Sequence, residues 1–352
     1  MKKSLTAVST VALLAASAHA AQFQLVTEID AAALQIGQPG SVAAYGDTLY
    51  VADIFAGDIA RISDPLGTPA VANTFGPDLP GNGRVSLNTD GTTLVAASNN
   101  AAAADTVESY VFGTDVLNFS QTAADLGRSR IDGAAVDPNS GNIFVTGFGF
   151  GFPLVLDPAT AADNSDGPTN LFVGETGTGF RDVDFDNATG DIYLRAVNGV
   201  AAGTRIGADD FAKLDGTTAG VEAIAFGPTV ADGFNSAINV EYIPASAFNS
   251  ELVIYNRRNS ADTFNDQVLL NAADAVNSVE VATFVEADGV TAFTTADATS
   301  GIYDFSFDPV NDLLYVSDFS SSAIYVFQAV PEPATAALLG LGGLAMLRRR
   351  SA

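Results

Sequence analysis

Cysteine and tryptophan are absent from the 352 residues, and histidine occurs once, at position 19. Without a thiol there are no disulfides and no cysteine nucleophile, so stability has to come from buried apolar surface. Serine–histidine triads and Cys–His catalysis need an imidazole base, and zinc or copper sites are built mainly from His and Cys. These chemistries fall away once His19 lies in a segment that is removed. Basic residues are also scarce, 15 Lys and Arg against 41 Asp and Glu, for a formal charge of −26. Such a surface repels nucleic acid and anionic lipid and attracts cations. What remains open is carboxylate chemistry, or hard cations held through oxygen. Hydrophobic residues make up 47% of the chain, which argues for a folded body rather than a disordered one.

Long apolar runs are missing from the body and appear only at the two ends. Lys2 and Lys3 precede an apolar stretch from Val8 to Ala16, and Ala18-His19-Ala20 has the A-x-A form of a signal-peptidase site. Residues 1–20 are therefore expected to be a secretory signal peptide, cleaved after Ala20 and taking His19 with it. At the other end Pro331-Glu332-Pro333 is followed by an apolar run, Ala334 to Leu347, and then by Arg348-Arg349-Arg350. As a helix that run covers only about 21 Å, short of the roughly 30 Å hydrocarbon core. It reads as a marginal span whose arginines hold the C-terminus in the cytoplasm.

The order Pro-Glu-Pro, apolar run, arginine cluster resembles the PEP-CTERM sorting signal of Gram-negative bacteria, with Ala334 where members often carry Ser or Thr. The resemblance implies export, transient anchoring in the inner membrane by a transmembrane sorting helix over 331–352, and cleavage near Pro331–Pro333 by an exosortase. Delivery to the cell surface or extracellular matrix would follow, and the family association with exopolysaccharide comes from the resemblance alone. With both ends removed the body keeps ten basic and forty acidic residues, a formal charge of −30.

Residues 21–330 are repetitive. Leu49-Tyr50-Val51-Ala52-Asp53 is followed by Ile59 and Ile62, and Leu314-Tyr315-Val316-Ser317-Asp318 by Ile324 and Phe327 at the same offsets. A strand, turn, strand pattern recurs around Val136-Asp137-Pro138, Phe185-Asp186-Asn187 and Phe307-Asp308-Pro309. With Asp47, Asp90, Asp137, Asp186, Gly227 and Asp308 as anchors the spacings are 43, 47, 49, 41 and 81, the last about two units. A period in the forties built of short strands predicts an all-β fold, a β-propeller of seven blades, or six with an insertion. The LYVAD and LYVSD hairpins resemble NHL and YVTN propeller repeats. Phe23 to Ile29 is expected to pair with Ala323 to Phe327 and close the ring.

Four acids stand four or five residues ahead of their anchors, Asp132, Asp182, Glu222 and Asp304, on strands expected to line the central channel. Some propellers that resemble gluconolactonases bind calcium with channel carboxylates, so these four are the candidate calcium ligands, and no other cofactor is expected. Asp182-Val183-Asp184-Phe185-Asp186 begins like an EF-hand loop, but Asn187 and Tyr193 stand where Gly and Glu are needed. Gly147-Phe148-Gly149-Phe150-Gly151-Phe152-Pro153 is unusual in composition and reads as core packing. The function expected is an exported binding or scaffold propeller, not an enzyme, with signal peptidase and exosortase as processing partners, exopolysaccharide or envelope components as ligands and no nucleic acid. The alternatives are a calcium-dependent lactonase or hydrolase and a structural envelope protein without a ligand.

Overall fold

The computed structural model describes residues 22–330 except 55, 77–83, 100–104, 129, 148–153, 163–179, 187–190, 197–202, 207–223, 227–239, 245–251, 256–267, 272–278, 282 and 295–301. The expected signal peptide and sorting tail, Glu222 and the phenylalanines of the Gly147–Pro153 segment lie outside the described residues. Among the described residues no helix is long and apolar enough to cross a membrane.

Strand β1 is Gln22–Asp30, and the first sheet follows as β2 (Pro39–Tyr45), β3 (Thr48–Asp53), β4 (Ile59–Ser63) and β5 (Ala70–Phe75). The second sheet is β6 (Arg84–Thr89), β7 (Thr93–Asn99), β8 (Thr106–Val111) and β9 (Val116–Thr122), and the third β10 (Gly133–Val136), β11 (Ile143–Thr146) and β12 (Leu154–Leu156). Then come β13 (Phe180–Phe185), β14 (Ile192–Ala196), β15 (Gly203–Ile206) and β16 (Ile224–Phe226), and after them β17 (Val240–Ile243), β18 (Leu252–Tyr255), β19 (Val268–Asn271) and β20 (Val279–Val281). The sixth sheet joins β21 (Thr283–Val285), β22 (Ile302–Asp308), β23 (Leu313–Asp318) and β24 (Ala323–Val330) to β1.

One edge strand of each of the six sheets, β2, β6, β10, β13, β17 and β22, contacts the next in that order, and β22 returns to β2. This closed ring of radial sheets is a β-propeller, and its axis runs between the six inner strands. The expected count of seven is corrected: the described residues form six sheets, four of them four-stranded. The error lies at Gly227. Phe226-Gly227-Pro228 looks like the end of an inner strand, yet Ile224–Phe226 is the outermost strand of the fourth sheet, paired with β15. The inner strand of the next sheet is Val240–Ile243, and no Asp or Gly stands between it and β18 in the sequence.

The closing pair falls where the sequence places it. β1 runs antiparallel to β24, with Phe23 opposite Ala329 and Ile29 opposite Ile324, so the sixth sheet draws strands from both ends of the body. The two LYV hairpins are equivalent as well: Leu49 pairs with Ile62 and Leu314 with Phe327.

These strands are apolar on both faces because each sheet is covered on both sides. Leu49 and Val51 of β3 pack with Tyr315, Ile324 and Val326 of the preceding sheet. Tyr50 and Ala52, pointing the other way, pack with Leu87, Leu94 and Tyr110 of the following one. The period-two alternation of a strand thus feeds two cores, and a continuous apolar run results. Burying one such side chain contributes about 1.5–3 kcal/mol.

Candidate functional site

An inner strand is a sheet edge, and its outward N–H groups need acceptors that the sheet cannot supply. The chain meets that need with side chains from the neighbouring blade. Asp304 Oδ2 accepts the N–H of Val42 at 3.1 Å and also the hydroxyl of Ser41. Ser306 Oγ accepts from Ala44 N at 3.0 Å, and Asp308 Oδ1 from Gly46 N at 2.9 Å. Around the ring Leu87 N donates to Ser41 Oγ at 2.8 Å, and Val136 N to Asn88 Oδ1 at 3.1 Å. Val240 N donates to Asp182 Oδ2 at 3.0 Å and Tyr242 N to Asp184 Oδ2 at 2.6 Å. Phe307 N likewise donates to Glu241. Carboxylates suit this task because, ionised, they only accept. Of the recurrent acids of the repeat, Asp182 and Asp304 are interblade clasps.

The candidate ligands are therefore divided. Asp182 and Asp304 occupy equivalent clasp positions and face each other electrostatically across the axis. Asp132 stands apart, in an ion pair with Arg130 at 2.6 Å and accepting from Asn99 at 2.8 Å. Glu222 lies outside the described residues, in the stretch before the outer strand β16. Among the described residues no group of three or more His, Cys, Asp or Glu is placed to hold a metal ion. The axis instead gathers Asp182, Asp184, Glu241 and Asp304. Asp184 and Glu241 carry no repeat signature of their own; strand alternation from Asp182 points to Asp184, whereas Glu241 follows the misassigned blade and had no visible anchor.

Burial raises the carboxyl of Asp182 well above its ordinary range, with the charge of Asp304 adding to it. Burial likewise pushes Asp184 up to about 7, against the lowering effect of the Tyr242 N–H, and Asp304 up to about 7, against the hydrogen bonds from Ser41 and Val42. Glu241 is raised by burial and then by the charge of Asp184. These four groups share fewer than four charges at neutral pH.

Above the clasps, at the C-terminal ends of the inner strands, the axis widens into a cavity of about 280 Å³. Tyr45, Tyr242 and Phe307 line it, with Pro138 and Pro309 at two of the turns and Asp184 and Glu241 among its acids. Asp90 is the third acid, and among the described residues no basic side chain lines the space. Glu241 retains partial exposure because the cavity reaches it. Asn88, also in the lining, spans from the second blade to donate to Asp184 of the fourth at 3.3 Å.

Residues 329–351 match the PEP-CTERM protein-sorting motif, which implies export and membrane-anchored sorting. No curated protein matches the chain. Among solved structures the chain is similar to a structural genomics protein of unknown function from Bacteroides thetaiotaomicron VPI-5482, at 13% identity and TM-score 0.58, covering 87% of this chain and 74% of that one. An auxiliary nutrient binding protein from the same organism aligns at 12% identity and TM-score 0.55, over 84% and 69%. The β-propeller domain of Myceliophteria thermophila Cps50 (Swd1) aligns at 11% identity and TM-score 0.52, over 88% and 100%. At such identities the likeness is one of fold, an all-β propeller carrying a C-terminal sorting motif.

Proposed function

We propose that this protein is an exported propeller of the NHL/YVTN kind, sorted and cleaved through its tail, that serves at the cell surface or in the exopolysaccharide matrix as a binding or scaffold module and not as an enzyme. The observation that carries this reading is the match of residues 329–351 to the sorting motif, which begins at the end of the last strand of a closed ring. The axial cavity supplies a place for a small ligand, and a nutrient binding protein among the fold neighbours is consistent with that use.

One observation favours a hydrolase as a second reading. Asp184 and Glu241 line a cavity with raised proton affinity, the condition of a general acid. Each also commits one oxygen to an N–H of the next blade, which fixes it in the scaffold and weighs towards binding.

The test is fractionation of the native host. The chain with its own tail is expected in the surface or matrix fraction, and a variant with Pro331, Glu332 and Pro333 replaced by alanine is expected to stay in the inner membrane. The same distribution for both chains contradicts the proposal.

A further inference from the structure

The axial cavity has a chemistry specific enough to name a ligand class, and naming it rests on the reading of this propeller as a binding module. Among the described residues its charged lining is all acidic, Asp90, Asp184 and Glu241, within a chain of formal charge −26. An anionic ligand would meet only repulsion there. Asp184 is fully engaged, Oδ2 with the N–H of Tyr242 and Oδ1 with the amide of Asn88. Glu241 is not: Oε1 accepts from Phe307 N, and among the described residues Oε2 has no partner. One cavity-facing carboxylate oxygen is therefore left over after the clasps are made. Calcium needs six to eight oxygens around it, and no group of three acidic side chains among the described residues is placed to begin such a shell. An ammonium group needs only up to three acceptors, at hydrogen-bond distance and from varied directions.

We infer that the axial cavity binds a small ligand carrying a primary ammonium group, with Glu241 as its principal acceptor and Asp90 at the rim. The volume, at the lower edge of the roughly 300–1,000 Å³ of small-molecule sites, suits a small molecule and not a polymer segment. The groups that face Glu241 are Asp182 and Asp184 from β13 and Asp304 from β22, all acids and all competing for few charges. A cation entering here favours their ionised forms, so binding expels a proton into solution. Affinity accordingly rises with pH until these carboxyls are ionised.

Calorimetry on the full-length protein in detergent tests this with ethanolamine as probe, ethylene glycol as its neutral counterpart and tetramethylammonium as a cation without N–H donors. Ethanolamine is expected to bind about tenfold more tightly at pH 8 than at pH 5.5, with proton release seen as a buffer-dependent heat. Glu241→Gln keeps an acceptor for Phe307 N and is expected to retain the wild-type fold while losing at least about tenfold in affinity at pH 8. Asp90→Asn, at a solvent-facing turn, is expected to weaken binding to a smaller extent. Ethylene glycol or tetramethylammonium binding as well as ethanolamine overturns the proposal, as does ethanolamine binding that is absent, independent of pH or unchanged in Glu241→Gln. Micromolar calcium displacing the amine overturns it in favour of a metal site. None of these outcomes bears on sorting, which the alanine-tail variant reads separately in the host.

Discussion

The carboxylates on the axis couple folding to protons. Asp184 and Asp304 hold theirs up to about 7 in the folded protein, against 3.8 ordinarily, so the native state binds protons more tightly than the unfolded chain. The stability they contribute is complete below about pH 4 and is lost as pH rises through 7. Exposed Asp125, Asp157 and Asp288 act in the opposite sense. Hydrogen bonds from nearby threonines, the side-chain ones leading, lower their carboxyls, so their contribution disappears in acid. The melting temperature is therefore expected to peak near pH 4 to 5 and to decline towards pH 8; a steady increase to pH 8 contradicts the assignment. Substitutions at Asp304 separate its two roles. Asp304→Asn keeps an acceptor for Val42 N and no longer needs a proton, so chemical denaturation at pH 8 should find it as stable as wild type or more so. Asp304→Ala leaves a buried N–H unmet and should cost about 1–3 kcal/mol at pH 4, where the wild type keeps its proton.

At the scale of the element, turns decide where one strand ends and the next begins. Gly91 follows β6 at φ +84°, and a Cβ there would meet the ring of Tyr45 on the neighbouring blade at 2.5 Å. Left-handed backbone costs a non-glycine residue about 1–2 kcal/mol before any clash. Gly91→Ala is thus expected to destabilise by at least that amount, read by denaturant titration, and to disturb the Tyr45 wall of the cavity; a neutral effect would show that this turn is free to rearrange. The same elements show what the sequence makes legible. Hairpins with strong signals, LYVAD and LYVSD, appear at equivalent places because residues at fixed offsets must pair. The turns after Val136, Phe185 and Phe307 also fall at equivalent inner-strand ends, with those three side chains buried. Asp182 and Asp304 were legible as axial residues from their place before the turn. Their task was not, because an acid that accepts an N–H and an acid that awaits a cation leave the same mark in a sequence. Glu241 was hidden for another reason: β17 ends at Ile243 and the sequence has no aspartate or glycine between it and β18, so no periodic signal marks that blade, and the outer strand before Gly227 took its place in the count.

For the whole molecule, closure is the property on which the rest depends. β1 supplies the strand beside β24 from the opposite end of the body, and Phe23 stacks on Phe284 of β21 at 5.1 Å. A chain lacking residues 21–30 should leave the β24 edge bare and fail to show the single cooperative thermal transition of the intact body; an unchanged transition would mean that the ring is held without this strand. The ring in turn gives the sorting tail a compact, strongly acidic load ending at Val330, directly before Pro331. Intact-mass measurement on protein from the native host reads whether that load is delivered and cut outside the cell. A dominant species that begins near Ala21 and ends near Pro331 to Pro333 is expected. A dominant species that still carries Arg348 to Arg350 would contradict this processing.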